Sequence, residues 1–291
     1  MMKKNLCYYA ACMLAIVQLA SCSKNQTVQS NAQNDAATVM SNPQNHAEST
    51  LLPKDILNLG PWTLTLPIDN SGSNTGAAIT VDSTTLKNGY TSQWLYTSAD
   101  SGVTFWCPTD GATTTPGTGS DHPRTELHEN RLWTVAEKGK LQATLIINQY
   151  PPDTPSMTIG QIHGGGTWGS VPFVLLHIKS GTIYGTVYQA LTGSADSLHT
   201  FIKNVALSSK IYYSIYTNGA TVYFNIIVTP VSGSPTTLTW NTPVPAAFKG
   251  SVLVHFSAGD YITRHNPGDG LFPNSTIGGK LTMYSLAITH Y

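Results

Sequence analysis

The sequence contains few charged residues and no excess of either sign. Only 10% of its 291 residues are Asp, Glu, Lys or Arg, and 15 basic residues balance 15 acidic ones. Proteins that bind nucleic acids carry a basic surface, so this balance argues against a nucleic-acid partner. A polyanionic partner would have to be held by a locally basic site.

The composition also disfavours long helices. Hydrophobic residues make up 41% of the chain, an ordinary share for a globular protein, so the low charge does not indicate disorder. Glycine (25 residues), proline (17) and tyrosine (14) favour turns and strands. The sequence therefore predicts an all-β protein in which the only helix is a short turn near residues 53–57.

Cysteine is scarce, and its positions indicate export. Lys3 and Lys4 precede an apolar run, residues 10–20, that is too short to span a bilayer. The run ends in Leu-Ala-Ser-Cys, which resembles the signal of bacterial lipoproteins, where cleavage precedes a cysteine that is then lipidated. We therefore predict a signal peptide at residues 1–21 and a lipid on Cys22. The lipid would be the chain's one link to the bacterial outer membrane; a secreted protein with an ordinary signal is the alternative.

The other cysteines leave no pair for a disulfide in the mature chain. Cys7 and Cys12 would be removed with the signal, so only Cys107 would keep a free thiol. It follows Phe105 and Trp106, and we predict that it is a buried core residue.

Two regions follow the signal. Residues 22–50 are rich in Asn, Gln, Ser and Ala and lack apolar periodicity, as is typical of a flexible tether. Residues 51–291 have the size of one large all-β domain, which we expect to be monomeric.

Alternation of apolar and polar residues predicts many strands in this domain. In residues 251–263, one face would be apolar, with Val252, Val254, Phe256, Ala258 and Ile262, and the other would carry His255, Ser257, Gly259, Tyr261 and Thr263. Hairpins are predicted at Ser180-Gly181 and Asn218-Gly219. Further strands are predicted at 141–148, 173–179, 182–190, 210–217, 221–228 and 281–290. Such strands without helical crossovers predict two antiparallel sheets in a sandwich or jelly roll. The polar face with aromatic residues on several strands indicates a concave groove for an extended polymer.

The first of three candidate motifs is Pro-Arg-Thr-Glu-Leu-His-Glu at residues 123–129. In an extended backbone, Arg124, Glu126 and His128 project from one face, and Glu129 projects from the other. A solvated edge strand with cross-strand ion pairs explains this motif equally well when it is taken alone.

The second and third motifs are weaker individually. Gln161 and His163 share a face and precede a glycine run, and Trp168 just beyond it would lie over a groove. Tyr261 lies on the polar face of the last motif, where a tyrosine is usually an amphipathic filler.

Together the three motifs resemble the alginate lyases of polysaccharide lyase family 7. The matching elements are Arg-x-Glu-Leu at 124–127, Gln-Ile-His at 161–163 and Phe-x-Ala-Gly-x-Tyr at 256–261, and Trp62–Asp69 resembles the family's first strand. The resemblance covers residues 56–291 and implies a β-jelly roll that cleaves uronate polymers by β-elimination without a metal or other cofactor. It assigns catalytic positions to Arg124, Gln161, His163 and Tyr261. On or beside the same face we expect substrate contacts from Glu126, His128, Trp168, His255, Ser257 and Thr263.

β-Elimination explains why these residue types are needed. The reaction removes the C5 proton of a uronate and expels the oxygen at C4, so the carboxylate must be neutralised by Arg124 and Gln161. His163 can titrate near neutrality and act as base, with Tyr261 as acid. Where the proton and the leaving group lie on the same side of the sugar, Tyr261 could perform both transfers. Both assignments stay open.

Three positions depart from the family's usual residues. His128 stands where an arginine is usual, Ser257 where a lysine is usual and Thr263 where a glutamine is usual. The first two changes remove positive charge facing a polyanion, so another polyuronate such as glucuronan is an alternative substrate. Within the family, an isoleucine at the position of Ile162 is associated with guluronate-containing blocks, which the resemblance therefore favours as substrate.

Two other classes of protein could share a β-sandwich with a polar face. A non-catalytic carbohydrate-binding jelly roll would bind the polymer without cleaving it. A glycoside hydrolase would need two facing carboxylates, which Glu126 and Glu129 do not provide if they point to opposite faces. For a metal, the polar stretch Asp69–Asn74 lacks the residue order of a calcium loop and its distal glutamate.

Overall fold

The computed structural model describes residues 51–117, 122–153, 155–193 and 196–291. The signal peptide, Cys22 and the tether predicted from the sequence lie outside these residues and stay predictions. Within the described residues, none of the helices is long and apolar enough to cross a membrane.

The described residues form two antiparallel sheets, which confirms the predicted all-β sandwich. The strands are β1 (Trp62–Thr65), β2 (Thr80–Val81), β3 (Leu95–Thr97), β4 (Val103–Pro108), β5 (Arg124–Glu129), β6 (Trp133–Thr134), β7 (Gly139–Gln149), β8 (Ser156–Gly164), β9 (Pro172–Lys179), β10 (Thr182–Tyr188), β11 (Asp196–Ile202), β12 (Lys210–Thr217), β13 (Thr221–Thr229), β14 (Thr236–Pro243), β15 (Leu253–Ile262) and β16 (Gly278–His290). One sheet has the order β11-β10-β9-β8-β15-β5-β1-β2, with β6 also paired to β15. The other has the order β14-β13-β12-β7-β16-β4-β3.

Helices are short in the described residues. Helix α1 (Pro53–Ile56) confirms the predicted turn, but helix α2 (Ser83–Lys87) shows that the expectation of a single helix was wrong. Helix α2 begins after Asp82, whose carboxylate accepts a hydrogen bond from the Thr85 N–H at 2.8 Å and so caps the first turn. Short 3-10 turns occur at Val135–Glu137, Gly166–Trp168, Ala246–Phe248 and Pro267–Asp269.

The core lies between the two sheets, because alternate side chains of each strand point inward. Tyr213 of β12 shows how closely the sheets approach, since its hydroxyl donates to the Ile159 carbonyl of β8 at 2.7 Å. Cys107 of β4 is fully buried, as predicted, and burial raises the pKa of its thiol well above the usual value. It is therefore a core residue and not a nucleophile.

Both predicted hairpins are present, one of them shifted by a residue. Lys179 pairs with Thr182, so the first turn is centred on Ser180-Gly181, both with positive φ. In the second hairpin, Thr217 pairs with Val222, which centres the turn on Gly219-Ala220. Glycine in the first central position is typical of a type II′ turn, and this explains the shift.

Candidate active site

The three motifs lie on three adjacent strands of the larger sheet. Strand β15 pairs with β8 on one side and with β5 on the other. Ser257 is opposite both Gln161 and His128, His255 is opposite His163, and Tyr261 is opposite Arg124. Their neighbours Leu127, Ile162 and Phe256 are fully buried in the core. The motif side chains therefore project from the outer face, as the alternation predicted.

A bulge in β15 positions Tyr261. The register with β8 shifts between Ala258 and Tyr261, and Gly259 has a φ of 147°. A Cβ atom at this glycine would lie 2.6 Å from the Thr125 carbonyl oxygen of β5, so only glycine permits such a close approach. Beyond the bulge, the Tyr261 ring packs on Arg124, whose Cζ atom is 3.9 Å from the ring centroid.

Glu126 joins two predicted catalytic side chains. Its carboxylate accepts a hydrogen bond from Arg124 Nη1 at 3.2 Å and one from Gln161 Nε2 at 2.5 Å, and its side chain is fully buried. Burial raises the pKa of Glu126, while the Arg124 charge and the two hydrogen bonds act in the opposite direction. A single carboxylate thus fixes the guanidinium and the amide relative to each other.

His163 is held in one tautomer. Its Nδ1 atom lies 3.1 Å from the Gly164 carbonyl oxygen, which can only accept a hydrogen bond. Nδ1 therefore carries the proton of the neutral ring, and Nε2 keeps its lone pair. Burial lowers the pKa of His163 to about 4, with a smaller contribution from the Arg124 charge, so the ring is neutral at pH 7 and can accept a proton.

His255 lies beside His163, and His128 lies beside His255. We call His128, His163 and His255 the histidine cluster. The His255 ring centroid lies 5.9 Å from that of each of the other two rings. His128 Nδ1 is 3.0 Å from Ser257 Oγ, which anchors that ring to β15. Burial lowers the pKa of His255 to about 4 and that of His128 well below its usual value.

The other two predicted substrate contacts lie at the ends of these strands. Trp168 follows β8 in a 3-10 turn, where it is half-buried against the core. Thr263 follows β15, and its N–H and hydroxyl both donate to the Ser156 carbonyl, at 3.1 and 3.3 Å. One network of contacts connects five of the site residues, namely Arg124, Glu126, Gln161, His128 and Ser257. Trp168 and Thr263 flank this network.

One neighbour of Tyr261 was missed by the sequence analysis. The His122 ring lies edge-on to the Tyr261 ring, with centroids 6.2 Å apart. His122 continues the alternation that places Arg124, Glu126 and His128 on one face, so the same period-two rule would have found it.

Glu129 lies on the face opposite Glu126, as predicted, and points into the core. It cannot form a carboxylate pair with Glu126 on the outer face. Its Oε2 atom accepts hydrogen bonds from Trp133 Nε1 at 2.9 Å and from the Phe256 N–H at 3.1 Å, and its Oε1 atom is 2.5 Å from His290 Nε2. The outer face therefore lacks this pair of carboxylates, which a glycoside hydrolase would need.

The described residues contain no group of three or more His, Cys, Asp or Glu side chains that could hold a metal ion. Asp69, at the start of the polar stretch Asp69–Asn74, instead accepts hydrogen bonds from Ser71, Ser73 and Gly76. These bonds, led by the one from the Ser71 hydroxyl, lower the pKa of Asp69 far below its usual value. This carboxylate therefore organises its own loop.

Comparisons with solved structures show the same fold. Alginate lyase A1-II′, a member of polysaccharide lyase family 7, has a TM-score of 0.64 and 24% identity, over 82% of this chain and 99% of that one. An alginate lyase from Pseudomonas aeruginosa has a TM-score of 0.66 and 25% identity, over 80% of this chain and 99% of that one. An alginate lyase from Klebsiella pneumoniae has a TM-score of 0.67 and 19% identity, over 83% of this chain and 99% of that one. A search of curated proteins finds no match.

The sequence profile of the alginate lyase family matches residues 57–290, which is nearly the whole of the β-sandwich. This agrees with the extent of the resemblance seen in the sequence. The chain therefore belongs to the alginate lyase family, the polysaccharide lyases of family 7.

Proposed function

We propose that this lyase cleaves alginate by β-elimination, within the polymer, at a site formed by Arg124, Gln161, His163 and Tyr261. The observation that carries the proposal is the Glu126 carboxylate, which binds both Arg124 and Gln161 beside the Tyr261 ring. This arrangement fixes two donors for a uronate carboxylate next to two side chains able to transfer protons.

Each proposed role follows from a property of the side chain. Arg124 and the second N–H of Gln161 would bind the sugar carboxylate and stabilise the negative charge that develops when C5 loses its proton. The electron pair of the C5–H bond then forms the C4=C5 double bond, and the C4–O bond breaks. The Tyr261 hydroxyl gives its proton to the departing oxygen.

The base depends on the geometry of the sugar. Neutral His163, with Nε2 unprotonated, can accept the C5 proton when the proton and the leaving oxygen lie on opposite sides of the ring. When they lie on the same side, Tyr261 performs both transfers: as the phenolate it takes the C5 proton, and it then gives that proton to the departing oxygen. The two assignments predict that replacing His163 affects the two uronate epimers of alginate unequally.

Alginate is favoured as substrate by the relatives. Variants of alginate lyase A1-II′ were solved in complex with product (GGG) and with substrate (GGMG). Glucuronan is the second candidate, because His128 and Ser257 replace cationic residues that are usual in the family.

The decisive experiment measures unsaturated product. Purified protein is incubated with poly-guluronate, poly-mannuronate and glucuronan, and the ultraviolet absorbance of the C4=C5 bond is followed together with viscosity. We expect absorbance to rise on alginate and viscosity to fall early, as cleavage within the chain requires. Absence of unsaturated product from all three polymers refutes the proposal.

Two tyrosine variants test the site. Tyr261→Phe removes one hydroxyl and should lower kcat by roughly 10²–10⁴-fold. Tyr184→Phe, the matched control, removes the same atom from β10, where the ring stacks on His177. The control should retain wild-type turnover, and equal loss in both variants would contradict the proposed role of Tyr261.

We also propose that a lipid on Cys22 anchors a monomeric domain to the bacterial outer membrane. The Leu-Ala-Ser-Cys sequence at residues 19–22 supports this, and the tether of residues 22–50 would give the domain reach. Cys22→Ala should move the protein from the membrane fraction to the soluble fraction, and an unchanged distribution refutes the anchor.

A further inference from the structure

We propose that His128 and His255 form a proton-dependent subsite for a second carboxylate of the polymer, so that the lyase takes up protons when it binds a polyuronate. The inference rests on the proposed function, because it concerns the sugar next to the one that is cleaved. It assigns to the histidine cluster a binding role beyond the proton transfer proposed for His163.

The geometry provides a compact group of imidazoles beside the proposed cleavage site. His255 lies between His128 and His163, with both ring-to-ring distances at 5.9 Å. His255 Nδ1 is buried and has no hydrogen-bond partner among the described residues. It is thus a polar atom without a partner in a cluster that adjoins the predicted path of an anionic polymer.

The charges facing the cluster nearly cancel when the imidazoles are neutral. On β5, the Arg124 guanidinium is paired with the Glu126 carboxylate, and Glu126 Oε2 also lies 3.7 Å from His128 Nε2. The group that β15 contributes beside His128 is the uncharged Ser257 hydroxyl, and β8 contributes His163. A polyuronate carries one negative charge on every sugar, so a second carboxylate gains little here until an imidazole is protonated.

Binding of an anion would supply the driving force for that protonation. Burial, with a smaller contribution from repulsion with His163, keeps the pKa of His255 at about 4 in the free protein. A carboxylate at ion-pair distance raises the pKa of a cation, so binding of the polymer should move the pKa of this imidazole upward, toward neutral pH. By linkage, a group whose pKa rises on binding takes up protons, and the affinity then increases as the pH falls.

Protonation of the histidine cluster should strengthen polymer binding and slow the chemical step. As the pH falls from 7.5 to 5.5, KM should fall because the subsite gains charge. Over the same interval kcat should fall, because a bound anion also favours protonation of the His163 base.

Calorimetry on an inactive variant isolates the binding step. Tyr261→Phe protein is titrated at pH 6.0 with oligoguluronate, in two buffers of different ionisation enthalpy. The difference in observed heat gives the number of protons taken up. We expect about 0.5–1 proton per oligomer bound, and an affinity roughly tenfold higher at pH 5.5 than at pH 7.5.

Further substitutions, added to the Tyr261→Phe protein, identify the histidines that take up the protons. Adding His128→Gln or His255→Gln should remove at least half of the proton uptake, whereas adding His177→Gln, which removes a histidine from β9 outside the cluster, should leave it unchanged. His128→Arg supplies a permanent charge and should bring the affinity at pH 7.5 close to the value at pH 5.5. Binding of His128→Arg also shows that position 128 tolerates replacement.

The outcomes separate this inference from the proposed function. Binding without proton uptake, with equal affinity at both pH values, overturns the subsite while leaving the lyase activity intact. Proton uptake that survives both glutamine replacements also overturns it. If the wild-type protein neither binds nor cleaves any uronate polymer, the proposed function fails, and the subsite fails with it.

Discussion

At the scale of single residues, Glu126 holds two of the side chains to which the proposed function gives catalytic roles. Its two carboxylate oxygens are occupied by Arg124 and Gln161, and it has no solvent exposure. An anion is needed at this position because the guanidinium beside it is also largely buried, and an unpaired buried charge is costly.

Glu126→Gln should therefore misplace both donors. The new amide presents an N–H group to either Arg124 or Gln161, so two donors face each other. We expect kcat to fall roughly 10²-fold through misplacement of the two donors that the proposed function makes catalytic, and the free energy of unfolding to fall by about 3–5 kcal/mol. Initial rates and urea unfolding measure the two effects. Turnover at the wild-type rate would refute the positioning role.

A second carboxylate provides the control for this substitution. Glu137 pairs with Arg131 at 2.6 Å, but both side chains are about half exposed. Glu137→Gln keeps an oxygen for the Thr134 N–H and should change the free energy of unfolding by less than about 1 kcal/mol, with unchanged activity.

At the scale of secondary structure elements, the bulge of β15 connects the fold to the site. Gly259→Ala would place a methyl group 2.6 Å from the Thr125 carbonyl and 2.9 Å from the Glu126 Cα atom. Since β5 must move to relieve this contact, we expect a loss of roughly 2–4 kcal/mol in stability and a large loss of activity.

Substitution of a second glycine, Gly250, separates the effect of the steric clash from the effect of backbone strain. Gly250 also has a positive φ, 78°, but a Cβ atom there would meet nothing within 4 Å. Gly250→Ala should cost only about 1 kcal/mol and leave turnover unchanged. Thermal unfolding and initial rates of the two variants test this, and equal effects would show that the approach of β5 is unimportant.

The elements also show where prediction from the sequence succeeds. Alternation placed Arg124, Glu126 and His128 on one face and Glu129 on the other, because that pattern depends only on local backbone geometry. The contact between Glu126 and Gln161 was not predicted. It depends on the register of β5 and β8 against β15, which the packing of distant strands sets and local spacing does not encode.

At the scale of the whole molecule, buried titratable groups couple stability to pH in opposite directions. Burial lowers the pKa of four histidines, namely His128, His163, His177 and His255. Each adds stability that is fully present above the unfolded pKa of about 6.5 and is lost as the pH falls toward the folded pKa. Glu126 and Asp260 have raised pKa values, so their contribution is present at low pH and lost as the pH rises.

His177 isolates the first effect, because it lies outside the proposed catalytic groups and burial alone lowers its pKa to about 4. Between pH 6.5 and 4 the unfolded chain binds more protons at this residue than the folded chain, so wild-type stability should fall relative to His177→Gln by up to about 1.4 kcal/mol per pH unit. Gln can still hydrogen-bond to Thr158, the present partner of His177 Nδ1 at 2.9 Å. Urea unfolding from pH 7.5 to 4.5 measures the difference. Tyr184→Phe keeps the stacked ring and the imidazole, so its free energy of unfolding should change with pH as that of the wild type does. If the free energy of unfolding of His177→Gln also changes with pH as in the wild type, His177 is protonated equally in the folded and unfolded chains.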